Sequence, residues 1–133
     1  MALVCPAVKG EILLLQYIVG LVAAGNPVLH LFLDDVIPTH STVDTDIHDC
    51  TSAGYNPITL VSPSWTVGTN AGVTTAVYSE VTFSFGTNAS VYGYFVTNQG
   101  GDMLWLERFS GATPFDIPDG GGSISITTKL TLS

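Results

Sequence analysis

Residues 78–109, YSEVTFSFGTNASVYGYFVTNQGGDMLWLERF, constrain the fold more than any other part of the chain. Three apolar, aromatic-rich runs are separated there by turns of Gly and Asn. Residues 78–85 alternate, with Val81, Phe83 and Phe85 on one side, and alternation followed by turn signals is typical of an antiparallel sheet. The later runs are apolar on both faces, which favours a sheet that is covered on two sides or shared with a neighbour. Only four of these side chains are charged, so the stretch is suited to packing rather than catalysis.

The rest of the chain extends this β pattern. Residues 27–34, 58–61, 64–67, 90–97, 103–109 and 123–132 all have the composition or alternation of strands. Since no helices lie between these runs, a parallel α/β sheet is excluded. The sequence predicts a mainly β protein, an antiparallel β-sandwich or barrel of about seven strands, with one N-terminal helix.

We interpret residues 1–133 as a single domain. It begins with an N-terminal arm at 1–8 and an apolar helix at 9–24, in which Glu11 favours the helix dipole and Gly25-Asn26-Pro27 ends the helix. A β-domain follows at 27–133 and contains a long polar loop at 35–54. The apolar run at 12–24 is shorter than the ~18–20 residues that span a bilayer, so we expect no membrane partner.

Charge is scarce and negative. Charged residues make up 11% of the chain, hydrophobic residues 46%, and the formal net charge is −8. Lys9, Arg108 and Lys129 are the only lysines and arginines, so no basic patch exists to neutralise phosphates and no nucleic-acid partner is expected. A sparsely charged surface favours burial in an oligomer or a larger assembly.

No motif identifies an enzyme, a cofactor site or a metal site. Asp44, Asp46 and Asp49 could supply oxygen ligands to Ca²⁺, but they lack the glycine and glutamate spacing of an EF-hand loop. The spacing of His40, His48 and Cys50 matches no zinc pattern. His30 lies within an apolar run and is predicted to be an interior or interface histidine with satisfied hydrogen bonds. No local signature of a nucleophilic triad is present.

Several segments together resemble a known family. They include the Gly10-Glu11 and Leu13-Leu14 pairs, but most of the likeness lies in two blocks, Tyr92-Gly93-Tyr94-Phe95-Val96 and Leu104-Trp105-Leu106-Glu107-Arg108-Phe109. The chain resembles small virion structural proteins of tailed bacteriophages over most of its length. Its longer, more acidic stretch at 44–50 departs from that pattern.

The resemblance implies a capsid decoration (cement) protein on the surface of the virion, which binds the major capsid protein or other virion proteins as a homo-oligomer, with a trimer favoured. A tail, baseplate or head-fibre component is the alternative within this class. A host-surface or carbohydrate-binding module is the alternative outside it, since aromatic side chains can stack on sugars. The predicted interface residues are apolar or aromatic: Leu13, Leu14, Ile18, Trp65, Tyr92, Tyr94 and Trp105.

Overall fold

A computed structural model describes residues 26–61, 64–110 and 114–132. Eleven strands and one short 3-10 helix, Asp44–Asp46, form the regular structure of these residues. The strands are β1 Val28–Phe32, β2 Ile58–Thr59, β3 Trp65–Asn70, β4 Val73–Tyr78, β5 Val81–Phe85, β6 Ala89–Val91, β7 Gly93–Thr97, β8 Met103–Arg108, β9 Phe115–Ile117, β10 Gly122–Ile126 and β11 Lys129–Leu132.

The predicted mainly β, antiparallel fold is confirmed, because every strand pairing is antiparallel. The prediction of about seven strands was too low. The strands form four sheets, in the orders β2-β1-β7-β8, β11-β4-β3, β10-β5 and β6-β9, and no sheet of the described residues closes into a barrel. The predicted arm at 1–8 and helix at 9–24 lie outside the described residues.

Two bends explain much of the higher strand count. Residues 78–85 and 123–132 each have the alternation of one strand, but the chain bends at 79–80 and at 127–128. As a result β4 pairs with β11 while β5 pairs with β10 in a different sheet. The amide of Tyr78 donates to the carbonyl of Thr128 over 3.0 Å, so the two bends are held together.

A main core joins the inner face of the four-stranded sheet to the other strands. Alternate residues of β1, β5, β7 and β10 point into it because side chains on a strand have a period of two. Its members include Leu29, Leu31, Tyr94, Trp105, Phe83 and Ile124.

A second, smaller core covers the opposite face of the same sheet. It consists of Phe32, Ile47, Phe95, Met103 and Leu106, with Val36 and Tyr92 packed against it. The covering residues come from the connection at 33–57, which is attached to the sheet by a hydrogen bond from the amide of Cys50 to the carbonyl of Leu31 (2.9 Å). The sheet that was predicted to be covered on two sides or shared with a neighbour is therefore covered on both faces by its own chain.

Candidate functional site

A polar network lies between the four-stranded sheet and the connection at 33–57. Its centre is His30 on β1, whose Nδ1 is 2.7 Å from Oδ2 of Asp49 and whose Nε2 is 2.9 Å from Oγ1 of Thr97. The imidazole stacks on the ring of Phe95, with centroids 4.6 Å apart. Both ring nitrogens thus have partners, and the prediction of an interior histidine with satisfied hydrogen bonds is confirmed.

Tyr55 extends this network to the backbone of β1. Its hydroxyl donates to Oδ1 of Asp49 over 2.7 Å and accepts from the amide of Leu31 over 2.8 Å. Burial, and then the hydrogen bond to Asp49, raise the pKa of Tyr55 well above its ordinary value. The phenol therefore resists ionisation into the alkaline range and serves as the donor that connects the two segments.

The order carboxylate, imidazole, hydroxyl in Asp49, His30 and Thr97 is that of a nucleophilic triad. A nucleophile must, however, be reachable by a substrate. Thr97 is only 5% exposed and lies in β7 beneath the connection, so its hydroxyl is closed to a carbonyl group from solution. In this geometry the three residues hold the connection on the sheet.

Two outer contacts fix the start of the same connection, one to a later part of the connection and one to β8. Nδ1 of His48 lies 2.8 Å from Oδ1 of Asp34, and Nη2 of Arg108 lies 2.7 Å from Oδ1 of Asp35. The guanidinium of Arg108 also donates to the carbonyl of Val36 over 3.1 Å and lies over the ring of Tyr92, 5.0 Å from its centroid. Arg108, the only arginine of the chain, is thus a central anchor of this connection.

The acidic residues considered as calcium ligands make separate contacts. Oδ2 of Asp46 accepts from the amide of Val43 over 3.0 Å, whereas Asp49 points toward His30 and Tyr55. Within the described residues, no three His, Cys, Asp or Glu side chains are grouped so that they could hold a metal ion.

The predicted interface residues occupy three different environments. Leu13, Leu14 and Ile18 lie outside the described residues. Trp65 and Tyr92 are partly exposed, Trp65 with its ring edge-on to Tyr78 at 5.1 Å between centroids. Tyr94 and Trp105 are each only 3% exposed and belong to the main core.

Tyr94 also has a polar role within that core. Its hydroxyl donates to Oε2 of Glu107 over 2.5 Å, and burial followed by this bond raises the pKa of Tyr94. The ring nitrogen of Trp105 and the hydroxyl of Thr128 are buried and make no hydrogen bond of ordinary geometry within the described residues, although both are close enough to the Tyr94 hydroxyl to offset part of the rise in its pKa. This cluster is internal, so none of its side chains offers a flat platform for a sugar.

The most exposed strand of the described structure is β3, of which the sequence predicted only residues 64–67. Five of its six residues are exposed, none is charged, and it forms one edge of the sheet β11-β4-β3. A two-residue turn joins it to β4, with Ala71 at φ 50° and Gly72 at φ 81°. The Asn-Ala-Gly sequence at 70–72 between two Thr- and Val-containing runs was the signal for this hairpin.

An apolar groove opens beside β3. It is lined by Trp65, Val67, Ala76 and Leu130 of the three-stranded sheet and by Pro27, Leu104 and Trp105 of the neighbouring segments, and it encloses about 220 Å³. Val67 is 66% exposed, although it occupies the apolar face of its strand.

No protein-family model, curated protein or solved structure matches this chain. Among the described residues, no helix has the length and apolar character needed to cross a membrane.

Proposed function

We propose that this protein is a structural component of a bacteriophage virion and that it decorates the capsid as a cement protein. In this role it lies on the capsid surface, forms a homotrimer and binds the major capsid protein or other virion proteins. The proposal is supported by the Tyr-Gly-Tyr-Phe-Val and Leu-Trp-Leu-Glu-Arg-Phe blocks and by the scarcity of charge. It needs a surface through which copies can associate.

The exposed edge of β3 is the observation that carries this proposal. Edge strands of monomeric proteins are usually shortened, charged, interrupted by proline or covered, because unpaired N–H and C=O groups invite pairing with another chain. β3 has six residues without charge or proline, and no described strand pairs with its outer edge. Strand addition at this edge would join neighbouring subunits by backbone hydrogen bonds.

We also propose the finer fold that the sequence indicates. The main core joins the four-stranded sheet to strands of the other three sheets, which is the arrangement of a β-sandwich. The helix at 9–24, which is apolar over nearly its whole circumference, would pack against such a body on one side and leave another side for contact with a neighbouring subunit.

The proposed contact surface includes Trp65 at the start of β3 and the apolar side chains of Leu13, Leu14 and Ile18. Tyr92 is partly exposed but lies under Arg108, so it contributes at the margin. Tyr94 and Trp105 stay outside this surface, since both are buried in the protomer. Their role is to keep the sheet rigid.

The geometry of the β3–β4 hairpin defines a specific test. In a hairpin closed by a two-residue turn, the residues that flank the turn form a hydrogen-bonded pair, here Asn70 and Val73. Thr69 and Thr74 therefore form the next, non-hydrogen-bonded pair, and the N–H of Thr69 points away from β4. Proline at 69 removes this outward donor while leaving the hairpin ladder in place.

The solution mass should show the effect of this change. We expect the wild-type protein to be a trimer by light scattering, and Thr69→Pro to lower the mass to that of the monomer with an unchanged circular dichroism spectrum. Thr69→Ala is the matched control, because it removes the 3.0 Å hydroxyl contact with Thr74 but keeps the amide. A monomeric wild-type protein, or a trimeric Thr69→Pro variant, would contradict assembly through this edge.

A further inference from the structure

The outer face of the sheet β11-β4-β3 carries a polar trough. The register places Trp65, Val67 and Ala76 on the face that lines the apolar groove, so the residues between them point to the opposite face. The trough on that opposite face encloses about 400 Å³, a volume within the range of small-molecule sites. Its lining includes Thr66, Gly68, Asn70, Val73, Thr75, Val77 and Lys129.

Gly68 leaves open space at the centre of the β3 side. A Cβ atom added to this glycine, which pairs with Thr75, would meet nothing within 4 Å. Lys129 on β11 and Thr66 on β3 both pair with Val77 of β4, so these three residues form one row across the sheet. At ordinary strand spacings, the Cα atoms of Thr66, Thr75 and Lys129 fall within ~10 Å of one another. One small molecule can therefore contact all three side chains.

Lys129 supplies the positive charge of the trough. Arg108 is the other described lysine or arginine, and it is paired with Asp35. Lys129 is exposed, and it forms no ion pair within residues 26–61, 64–110 and 114–132. Among the described residues that line the trough, none is Asp or Glu. An anionic group can thus contact Lys129 without displacing a carboxylate of this region.

The lining also limits the class of anion. One ammonium group balances one negative charge, and a net charge of −8 repels a polyanion such as a nucleic acid. The hydroxyls of Thr66 and Thr75 can each donate and accept hydrogen bonds, which matches a ligand with hydroxyl groups of its own. Val77 lies between the polar side chains and offers an apolar contact. One carboxylate, several hydroxyls and an apolar ring face occur together in an acidic sugar.

We propose that this trough binds a sugar residue with one carboxylate, as in the uronic and sialic acids. The carboxylate contacts Lys129, the hydroxyls bond to Thr66 and Thr75, and the ring lies over Val77 and the open space at Gly68. This site is on the face of the sheet, whereas the proposed subunit contact follows the edge of β3. The inference therefore holds whether or not the protein is a trimer or belongs to a virion.

Nuclear magnetic resonance titration of the ¹⁵N-labelled protein tests the proposal. The probes are glucuronate, galacturonate and N-acetylneuraminate, with glucose, galactose and inorganic phosphate for comparison. We expect at least one acidic sugar to give saturable shifts of amide signals in β3, β4 and β11. Its neutral counterpart should bind about fivefold more weakly, which is the upper end of what an exposed charge pair contributes.

Two variants separate the charge from the shape of the trough. Lys129→Met keeps the length of the side chain but removes its charge, so it should lower the affinity for the acidic sugar to that for the neutral one. Gly68→Val fills the open space at the strand, and saturable shifts with every sugar should be lost. The amide spectrum of each variant reports whether the fold is retained.

A matched pair of hydroxyl deletions tests the position of the site. Thr75→Val should weaken sugar binding, whereas Thr82→Val removes an exposed hydroxyl from β5 and should leave it unchanged. The proposal is overturned if none of the three acidic sugars gives saturable shifts in the trough, or if Lys129→Met keeps the wild-type affinity. Phosphate that binds as tightly as the sugars, with the same shifts, would also overturn it, because the trough would then be a site for any small anion.

Discussion

Gly93 occupies the closest approach between β7 and its neighbouring strands. It pairs with Phe32 on β1 and with Arg108 on β8. A Cβ atom at this position would collide with the carbonyl oxygen of Glu107 and would lie 2.6 Å from ring atoms of Phe32. Neither a backbone carbonyl nor a fully buried ring can move aside at low cost.

Replacement of Gly93 by alanine should therefore destabilise the fold by about 3 kcal/mol or more, as expected of severe overpacking. Gly68→Ala is the matched control, because this glycine also lies in a strand and a Cβ atom added to it would meet nothing within 4 Å. Urea unfolding of both variants measures the difference. Equal stability of the two alanine variants would show that β7 does not approach its neighbours this closely.

The buried tyrosines give the stability of the fold a defined pH dependence. The pKa values of Tyr55 and Tyr94 are raised above the ordinary 10.0, so each folded-state phenol resists ionisation more than the unfolded one. Their contribution to stability is complete below about pH 10 and is lost as the pH rises above it. Stability should then fall by up to ~1.4 kcal/mol per pH unit for each tyrosine.

Tyr55→Phe should make this alkaline decline shallower while lowering stability by about 1–3 kcal/mol at pH 7, since Asp49 and the amide of Leu31 lose a partner. Urea unfolding from pH 8 to pH 11 measures both effects. A wild-type slope above pH 10 in the Tyr55→Phe variant would contradict the buried, hydrogen-bonded state of this phenol.

At the scale of elements, the connection at 33–57 is attached to the four-stranded sheet at two levels. His30, Asp49 and Tyr55 form the buried level, and Arg108 forms the outer one through Asp35 and the carbonyl of Val36. Because the second core lies beneath this connection, loss of an anchor should open it locally rather than unfold the whole protein.

Arg108→Ala should raise hydrogen exchange of the backbone amides at 33–48 about tenfold, since hydrogen bonds to charged groups contribute ~1.5–3 kcal/mol. Arg108→Lys keeps the charge for Asp35 but lacks the planar fork that also reaches Val36, so its rates should be intermediate. Amides of β5 and β10 serve as the internal reference. Unchanged exchange at 33–48 in the alanine variant would rule out the anchoring role of Arg108.

The sequence was sufficient to predict strands and turns but not where strands change sheets. Alternation does not continue through the bend at 79–80, because Tyr78 and Phe83 lie an odd number of positions apart and yet both face the main core. The phase shifts again at 92–93, so Tyr92 packs in the second core although Tyr94 packs in the main one. Such changes depend on tertiary pairing, which a local period does not contain.

The roles of the site residues could likewise be predicted from the sequence only in part. An aromatic side chain in an apolar strand can face a core or a partner, and the residue type is the same in both cases. Tyr94 and Trp105 face the core. The network of His30, Asp49, Tyr55 and Thr97 joins positions up to 67 residues apart, so only the folded topology could bring it together.

At the scale of the whole molecule, the edge of β3 is an exposed and uncharged surface of the described residues. The polar side chains of His30, Asp49, Tyr55 and Thr97 bond to one another and hold the connection at 33–57 on the sheet. Strand β3, by contrast, presents an uncharged edge on which Val67 is exposed. The net charge of −8 keeps free copies apart at long range, and a short-range contact through β3 would have to overcome this repulsion. Assembly should accordingly become stronger as salt concentration rises.

The copy number of this protein in purified phage particles tests the virion proposal most directly. Quantitative mass spectrometry of particles, with the major capsid protein as the internal standard, should find on the order of hundreds of copies per particle, as repeated capsid positions require. About a dozen copies would place the protein in the tail or a fibre instead of the capsid. Its absence from particles made by cells that contain it would contradict the proposal that it is a virion structural protein.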